Sequence, residues 1–275
     1  MDFLKNKKII AIAILCAVLL ATGSAVWSNR SDGKTHIYFL NIGQGDAALI
    51  KTPTNELILV DGGPGNRVLS ELGKNLPFWR RDFDLVIMTH PDKDHIEGLA
   101  TVIDQYHIRR FLMNGAFQKN AVVQAILRKL VERQVPVLLA EEDHDFEFGN
   151  VKLDMLFPFE PTLGQTDFTN STSIVFRLIS PRGTALFTGD ADEFVERKIL
   201  EAGREIRSDV LKVGHHGSKY SSSQAFLEAV RPRIAIISVG KNRYGHPTPE
   251  VLDRLQKIGA EIHRTDREGT IEIIF

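Results

Sequence analysis

The chain has 275 residues, of which 43% are hydrophobic and 25% are charged, and its formal net charge is -1. The length allows one large domain or two small ones, and the composition is ordinary for a globular protein. Residues 1–30 hold four of the 34 basic residues and one of the 35 acidic residues, so residues 31–275 carry a net charge of -4. That balance does not favour non-specific binding of duplex DNA.

The N-terminal 30 residues have the pattern of a targeting segment. Lys5, Lys7 and Lys8 precede an apolar run over residues 9–27, which is long enough to span a bilayer. The pattern predicts an uncleaved membrane anchor, which we favour, or a signal peptide cleaved near Gly-Ser-Ala at 23–25. Either way, the basic residues place a domain of residues 31–275 outside the cytoplasm. The single cysteine, Cys16, lies in this segment, so any metal in that domain must be held by His and Asp.

Short apolar runs bounded by turn residues predict strands, and amphipathic stretches predict helices. The predicted strands are 36–40, 47–52, 57–60, 85–88, 109–113, 135–139, 151–157, 173–179, 185–188, 210–213, 234–239, 261–263 and 270–274. The predicted helices are 68–75, 96–106, 121–133, 193–202, 222–230 and 249–258. Strands come in runs and then alternate with helices in both halves of the chain. This order predicts one α/β (α+β) domain with two sheets covered by helices.

The run from His90 to His95 places two imidazoles and two carboxylates, Asp92 and Asp94, within six residues. It follows the predicted strand 85–88, so we expect it to form a loop at the end of a buried strand. Core packing does not explain such a polar run at that place. A hydrolytic metal site does explain it, because His and Asp are its usual ligands.

Four more polar clusters follow predicted strands. They are Asp61-Gly62-Gly63, Thr188-Gly189-Asp190, His215-His216-Gly217-Ser218 and Tyr244-Gly245-His246-Pro247. Each one alone has an ordinary interpretation, since Asp-Gly is common in turns and Asp190 is in position to cap a helix. Together with the run 90–95 they indicate one site, because all of them occupy the same kind of position.

The ordered set of motifs resembles that of the metallo-β-lactamase (MBL) fold hydrolases, and within them the MBL domain of ComEC-type DNA-uptake proteins. The resemblance rests on residues 41–46 (NIGQGD), 61–64 (DGGP), 90–95 (HPDKDH), 170–173 (NSTS), 188–190 (TGD), 211–218 (LKVGHHGS) and 244–247 (YGHP). It runs from about residue 36 to residue 275 and implies an αββα four-layer sandwich. The multi-helix channel of the uptake proteins has no counterpart in these residues, so DNA import does not follow.

The resemblance also implies a set of metal ligands. They are His90 and Asp92 for a first metal, Asp94 and His95 for a second, Asp190 between the two, and His216, in preference to His215, completing the second. It further implies that Asp61 does not bind a metal itself but holds the metal-binding side chains in position.

Two departures from the family pattern concern the first metal and Asn41. The broader superfamily usually has His where Asp92 stands, and many members place a third histidine near Asn170. An oxygen-rich first site favours Mn²⁺ or Mg²⁺ relative to Zn²⁺, so we expect two divalent ions, Zn²⁺ and/or Mn²⁺. ComEC-type domains commonly have Asp where Asn41 stands.

The expected reaction is attack by a metal-activated water on a phosphorus or carbonyl centre. Asp94 would orient or deprotonate the water, and His246 or His215 would protonate the leaving group. The residues expected to contact substrate are Asn170, Ser173, Lys212, Ser218 and Lys219.

We expect a phosphodiesterase acting on nucleic acid or on a cell-envelope phosphodiester, with no obligate protein partner. The acidic balance and the lack of an evident aromatic-basic stripe weigh against nucleic acid. The alternatives are hydrolysis of a carboxylic ester, lactone or β-lactam, and a non-catalytic binding protein of the cell envelope. Fold-level similarity alone does not choose among these reactions.

Overall fold

Two seven-stranded sheets form the frame of the protein. A computed structural model describes residues 31–116, 121–142, 144–164 and 170–275, together with residues 12, 14–16, 19 and 23. The strands are β1 (His36–Phe39), β2 (Ala48–Lys51), β3 (Leu57–Val60), β4 (Asp82–Phe83), β5 (Leu85–Met88), β6 (His107–Ile108), β7 (Phe111–Met113), β8 (Val137–Leu139), β9 (Phe146–Phe148), β10 (Val151–Phe157), β11 (Val175–Ser180), β12 (Gly183–Phe187), β13 (Val210–Lys212), β14 (Ile234–Ile237), β15 (Glu261–Arg264) and β16 (Ile271–Ile274). The helices are α1 (Arg67–Asn75), α2 (Lys93–Gln105), α3 (Ala121–Glu132), α4 (Glu193–Glu201), α5 (Gln224–Val230), α6 (Pro249–Lys257) and α7 (Thr265–Glu268).

Each sheet has an antiparallel half and a parallel half. The first has the order β16-β1-β2-β3-β5-β7-β8, and it changes from antiparallel to parallel between β3 and β5. The second has the order β15-β14-β13-β12-β11-β10-β9, and it changes at β12, which is antiparallel to β11 and parallel to β13. The carboxyl ends of strands at such changes of direction are where open α/β sheets form ligand crevices.

The buried apolar side chains separate into three layers of contact. One cluster lies between the sheets and includes Phe39, Phe176 and Phe187. A second packs the first sheet against α1, α2 and α3, and a third packs the other sheet against α4, α5 and α6. The result is an αββα sandwich, which confirms the predicted fold class.

Most predicted elements form within a residue or two of their predicted bounds. The main difference is α2, which begins at Lys93 and not at residue 96, so Asp94 and His95 lie in its first turn. Asp92 at the N-cap and Asp94 in the first turn favour an earlier start, because carboxylates stabilise a helix N-terminus. The sequence interpretation also missed β9, the two-stranded pair β4–β6 and α7.

The N-terminal segment predicted as an anchor or signal peptide lies almost wholly outside the described residues. Residues 12, 14–16, 19 and 23 of it are helical, and Cys16 is exposed. Among the described residues, no helix combines the length and apolarity needed to cross a membrane. Residues 33–275 form a compact unit of their own. The boundary near residue 31 and the location outside the cytoplasm stay predictions.

Candidate metal centre

The predicted ligands come together at one edge of the two sheets. Asp61 follows β3, His90 follows β5, Asp190 follows β12, and the His215-His216 pair follows β13 in a 3₁₀ turn, Gly214–Gly217. Because β3 and β5 are parallel, as are β12 and β13, their carboxyl ends deliver these side chains to the same side. The sandwich places the two edges face to face.

Asp190 lies at the centre of four imidazoles. Its Oδ1 is 3.2 Å from His95 Nε2. Its Oδ2 is 3.6 Å from His216 Nε2, 3.8 Å from His215 Nε2 and 3.9 Å from His90 Nε2. Asp190, His90, His95 and His216 are buried.

Three of these imidazoles contact a neighbouring polar group through Nδ1, which fixes the orientation of each ring. His95 Nδ1 contacts Asp61 Oδ2 at 2.8 Å, and His216 Nδ1 donates to the Ser238 carbonyl at 2.9 Å. His90 Nδ1 is 3.0 Å from Thr89 Oγ1. A proton on Nδ1 leaves Nε2 as a lone-pair donor, which is the tautomer that a metal ligand requires.

The buried donor atoms fit a metal ion. Within the part of the chain that the structure describes, Nε2 of His90, His95 and His216 and Oδ1 of Asp190 make no hydrogen bond of good geometry, although His95 Nε2 lies only 3.2 Å from Asp190 Oδ1 and His216 Nε2 only 3.2 Å from Asp94 Oδ2. Buried polar atoms are normally paired, so four unpaired atoms at one point call for a missing partner. Donor atoms of His90, His95 and Asp190, and those of Asp94, His95 and His216, lie within 4.8 Å of one another. Imidazole nitrogen and carboxylate oxygen together suit Zn²⁺ and Mn²⁺.

The electrostatics of the centre favour positive charge. Burial alone would raise the pKa of Asp190, but the neighbouring His216 and His95 hold that pKa well below its usual value. Burial alone would lower the pKa of His216, yet Asp190 and Asp46 raise it to about 10. The carboxylates thus retain protons on histidine when no other cation is present. A divalent ion would replace that charge.

The outer side of the centre is open to solvent. The side chains of Asp92 and His215 are 31% and 27% exposed. Asn170 Nδ2 is 3.3 Å from His215 Nδ1, while Asn170 Oδ1 is buried and unpaired within the described chain. Asn170 Oδ1 is therefore a buried oxygen acceptor on a side chain that contacts His215.

An open groove of about 510 Å³ adjoins this outer side. His215, Ser218, Lys219 and His246 line it, so four residues predicted to act on substrate share one cavity. The His215 and His246 rings are 5.3 Å apart. Burial, then His215 and His216, lower the pKa of His246 to about 4. Its imidazole is therefore neutral near pH 7 and suited to donating a single N–H hydrogen bond.

Two residues predicted to contact substrate do not face the groove. Lys212 is buried, and its Nζ lies 2.7 Å from Asp46 Oδ2 and donates to the Val213 carbonyl at 2.9 Å. Ser173 is buried, and its Oγ accepts from the Asp190 backbone N–H at 3.2 Å. Neither prediction agrees with this structure, because both side chains are buried, hydrogen-bonded within the protein and absent from the lining of the groove.

Asp46 and Thr89 were missed by the sequence interpretation. Asp46 pairs with Lys212, and its Oδ1 is 3.4 Å from His216 Nδ1. Thr89 donates its backbone N–H and its hydroxyl to the two oxygens of Asp61 at 2.8 and 2.7 Å. Asp46 stands in the NIGQGD motif, but its partner Lys212 is far along the chain, so no local spacing reveals the pair.

The comparisons with known proteins agree with this fold and this site. A family model described as the metallo-beta-lactamase superfamily matches residues 40–241. ComE operon protein 3 of Bacillus subtilis is 30% identical over an alignment of 251 positions that covers 85% of this chain and 32% of that protein. Recombination protein 2 of Haemophilus influenzae is 28% identical, covering 99% of this chain and 33% of that protein. The chain thus spans about a third of the length of these curated relatives.

A solved structure shows the same fold at low sequence identity. The metallo-beta-lactamase fold protein YhfI from Bacillus subtilis matches with a TM-score of 0.59 and 12% identity, covering 88% of this chain and 100% of that one. At this identity the likeness concerns the fold alone. Because the family model covers most of the sequence, and because the sandwich and its His/Asp cluster agree with it, this chain belongs to the metallo-β-lactamase superfamily.

Proposed function

We propose that this protein is a metal-dependent phosphodiesterase. The observation that carries the proposal is the convergence of three unpaired imidazole nitrogens, from His90, His95 and His216, on the buried carboxylate of Asp190. Such a cluster is costly to bury without a cation between its members. In this superfamily of metallo-hydrolases it is the natural place for the reaction.

The proposed ligands divide between two ions. His90 and Asp92 would hold the first, with the Asn170 oxygen beside them, and Asp94, His95 and His216 would hold the second. Asp190 would serve both. When bound, the ions would supply a water activated near neutral pH and positive charge opposite the developing negative charge of the reaction. The oxygen-rich first position favours Mn²⁺ relative to Zn²⁺.

The protein's own groups then handle the protons and the orientation of the substrate. Asp94 Oδ2 lies 3.2 Å from His216 Nε2, and its side chain is 36% exposed. It is therefore placed to accept a proton from the attacking water. His215 and His246 line the groove, where His215 would donate a hydrogen bond or a proton to the leaving oxygen and the neutral His246 would donate a hydrogen bond.

The groove favours an anionic substrate over a neutral carbonyl compound. The exposed Lys219 and the imidazoles of His215 and His246 line it, which supplies donors for the non-bridging oxygens of a phosphodiester. Hydrolysis of a neutral ester or lactone would leave these donors with no negative charge on the substrate to bind. That alternative becomes the better one if phosphodiesters are not turned over.

The test is hydrolysis of bis(p-nitrophenyl) phosphate by the full chain, purified in a mild detergent and loaded with Mn²⁺ or Zn²⁺. We expect turnover that requires metal and that is lost in Asp190→Ala. Folded wild-type protein that binds metal but does not hydrolyse the diester would overturn the phosphodiesterase. Failure of folded protein to bind either metal would favour the non-catalytic binding role.

We also propose that the N-terminal segment attaches the enzyme to a membrane and places residues 31–275 outside the cytoplasm. The support is the basic-then-apolar pattern of residues 1–30. The intact mass of the protein recovered from membranes distinguishes an uncleaved anchor from a cleaved signal peptide. A mass of the full chain indicates an anchor, and a mass short of about residues 1–25 indicates a cleaved signal peptide.

A further inference from the structure

The end of the sandwich away from the metal centre is formed by the amino ends of the parallel strands. β3 and β5 are parallel, and Asp61 and His90 follow their carboxyl ends. β12 and β13 are parallel as well, and Asp190 and the histidine pair follow them. The segments that precede these strands therefore lie at the opposite end of the domain, about 13 Å away along a strand of four residues.

The chain enters the compact unit of residues 33–275 at this opposite end. His36, the first residue of β1, pairs with Lys51 of β2, and Lys51 pairs with Leu57, the first residue of β3. Residues 28–32 separate this entry from the apolar run 9–27. Five residues extend over at most about 18 Å. A membrane that holds the apolar run is therefore near this end of the domain.

We name this end the distal pole and define it by the connecting segments that lie there. They are residues 33–35, 52–56, 76–84, 106–110, 133–136, 149–150, 181–182, 202–209, 231–233 and 258–260. These segments contain eleven basic and five acidic residues, a net charge of +6, although residues 31–275 as a whole carry -4. Positive charge is therefore concentrated at the end that the metal centre does not occupy.

Much of this positive charge is at the surface. Asp84 and Asp209, two of the five acidic residues, lie 3.3 and 3.5 Å from Arg109 and Arg233. The paired acids leave an excess of cations that no acid of the pole can neutralise. The exposed arginines of the pole are Arg81, Arg109, Arg133, Arg182, Arg207, Arg231 and Arg233.

Two adjacent aromatic side chains lie at the surface of the same pole. Phe78 is 78% exposed and Trp79 is 41% exposed, and their rings are 4.7 Å apart. The loop that carries them is held in place, because Arg80 Nη2 donates to the Asn55 carbonyl at 2.8 Å and Arg81 Nε donates to the Phe78 carbonyl at 3.0 Å. Single exposed apolar residues need no explanation, but a neighbouring pair beside cations is a candidate contact surface.

We propose that the distal pole docks on the surface of an anionic phospholipid bilayer, with Phe78 and Trp79 among the headgroups and the arginines against the lipid phosphates. The inference rests on the proposed attachment of the N-terminal segment to a membrane and gives the domain its orientation there. Tryptophan favours the headgroup level because its ring is amphipathic, and each cation near an anionic surface adds to the attraction. The metal centre then faces away from the bilayer, with its groove open to the surrounding solution.

The test is the fluorescence of Trp79 in the full chain on vesicles. The chain has two tryptophans, so Trp27→Phe leaves Trp79 as the only one. The vesicles are pure phosphatidylcholine or equal parts of phosphatidylcholine and phosphatidylglycerol, each with ordinary or brominated acyl chains, which quench a nearby tryptophan. The matched control carries Trp27→Phe, Trp79→Phe and Tyr220→Trp, which places the only tryptophan at an exposed position beside the groove.

We expect the emission of Trp79 to shift to shorter wavelength on the anionic vesicles and to be quenched by the brominated chains. The control should show neither change. The quenching should be lost at 1 M salt, where the Debye length falls to about 3 Å. Phe78→Gln should reduce the quenching of Trp79, whereas Phe194→Gln, an exposed phenylalanine that follows β12 at the metal end, should not.

Three results would contradict the proposal. An unquenched Trp79 on anionic vesicles would overturn docking on lipid and make a protein the better partner for the pole. Equal quenching on neutral and anionic vesicles would overturn the part assigned to charge. Equal quenching in the control would overturn the orientation, because the groove end would then contact the bilayer as well.

Flotation of the same protein with vesicles tests the N-terminal segment separately. Flotation with both kinds of vesicle but no quenching of Trp79 would overturn the docking of the pole alone. Quenching on anionic vesicles without flotation on neutral ones would overturn attachment by the N-terminal segment and support the pole. Neither measurement depends on turnover, so failure of the phosphodiesterase is distinguished from both.

Discussion

His95 and His216 are held from behind by Asp61 and the Ser238 carbonyl, and both are buried. The side chains of Asp92 and His215 are instead 31% and 27% exposed, and His215 lines the groove. The centre therefore has a closed half that is fixed by its surroundings and an open half that is adjustable. A ligand whose orientation is fixed in advance loses less freedom when it binds a metal, so the closed half should bind its ion more tightly.

The largest expected effect separates the two adjacent histidines. His216→Ala removes a buried ligand of the closed half, so we expect loss of one bound ion and a fall in activity of more than about 100-fold, beyond the cost of an outer partner. His215→Ala should keep both ions and lower kcat by less. Metal content by mass spectrometry, with kcat for bis(p-nitrophenyl) phosphate, checks both. If His215→Ala loses an ion and His216→Ala does not, then His215 is the metal ligand and His216 is not.

The next effect concerns the support of the closed half. Asp61→Asn leaves an amide that cannot accept from both Thr89 and His95, so we expect metal affinity to fall by about 10- to 100-fold. Competition with a chelating dye measures that affinity. Asp209→Asn is the matched control, because Asp209 Oδ2 likewise accepts from the backbone N–H and hydroxyl of one threonine, Thr184, at the far end of β13. If the two variants lose affinity equally, the support assigned to Asp61 is not specific.

A smaller change tests the open half. Asn170→His replaces a neutral oxygen with an imidazole beside the first position, so we expect the weaker ion to bind about tenfold more tightly, equal to about 1.4 kcal/mol. The preference of that position should also move from Mn²⁺ towards Zn²⁺. Calorimetric titration with each ion resolves the two binding steps. An unchanged weaker step would place Asn170 outside the metal centre.

The smallest effect on the chemistry is expected at Glu196, which supports the loop after the histidine pair. This buried carboxylate accepts from the Ser222 and Ser223 backbone N–H groups. Burial raises its pKa from 4.5 to about 6. The folded state thus binds the proton more tightly, and the resulting stability is present below pH 4.5 and is lost as pH rises through about 6.

Glu196→Gln should therefore gain about 2 kcal/mol relative to the wild type between pH 4.5 and pH 7.5, with little effect on kcat. Urea unfolding of the metal-free proteins at the two pH values measures this difference. Glu193→Gln, an exposed position on the same helix, should show no such change. A difference between wild type and Glu196→Gln that is independent of pH would contradict the assignment.

The fold could be predicted largely from local sequence signals. Apolar runs such as Leu57–Val60 and Leu85–Met88 form the buried strands they predict, because a strand covered on both faces needs side chains of this kind throughout. The short elements were missed, since two residues of β4 or the Phe-Glu-Phe of β9 carry too little periodicity. The start of α2 was missed because metal-type residues and helix-capping residues are the same amino acids.

The site was only partly accessible from the sequence. His90 and Asp190 could be selected because each follows a predicted strand, and His95 because it ends the polar run that begins at His90. The pairing of Lys212 with Asp46 could not be, since it depends on the contact between the two sheets.

The backbone of the histidine pair has a consequence for engineering. His215 and His216 both have left-handed conformations, with φ of 47° and 53°, and Asp61 has φ of 57°. Such conformations cost non-glycine residues of order 1–3 kcal/mol each. A design procedure that scores backbone conformation alone would therefore favour glycine at these positions and would delete the reactive centre. Thermostabilisation of this protein should hold these three positions fixed and seek its gains elsewhere.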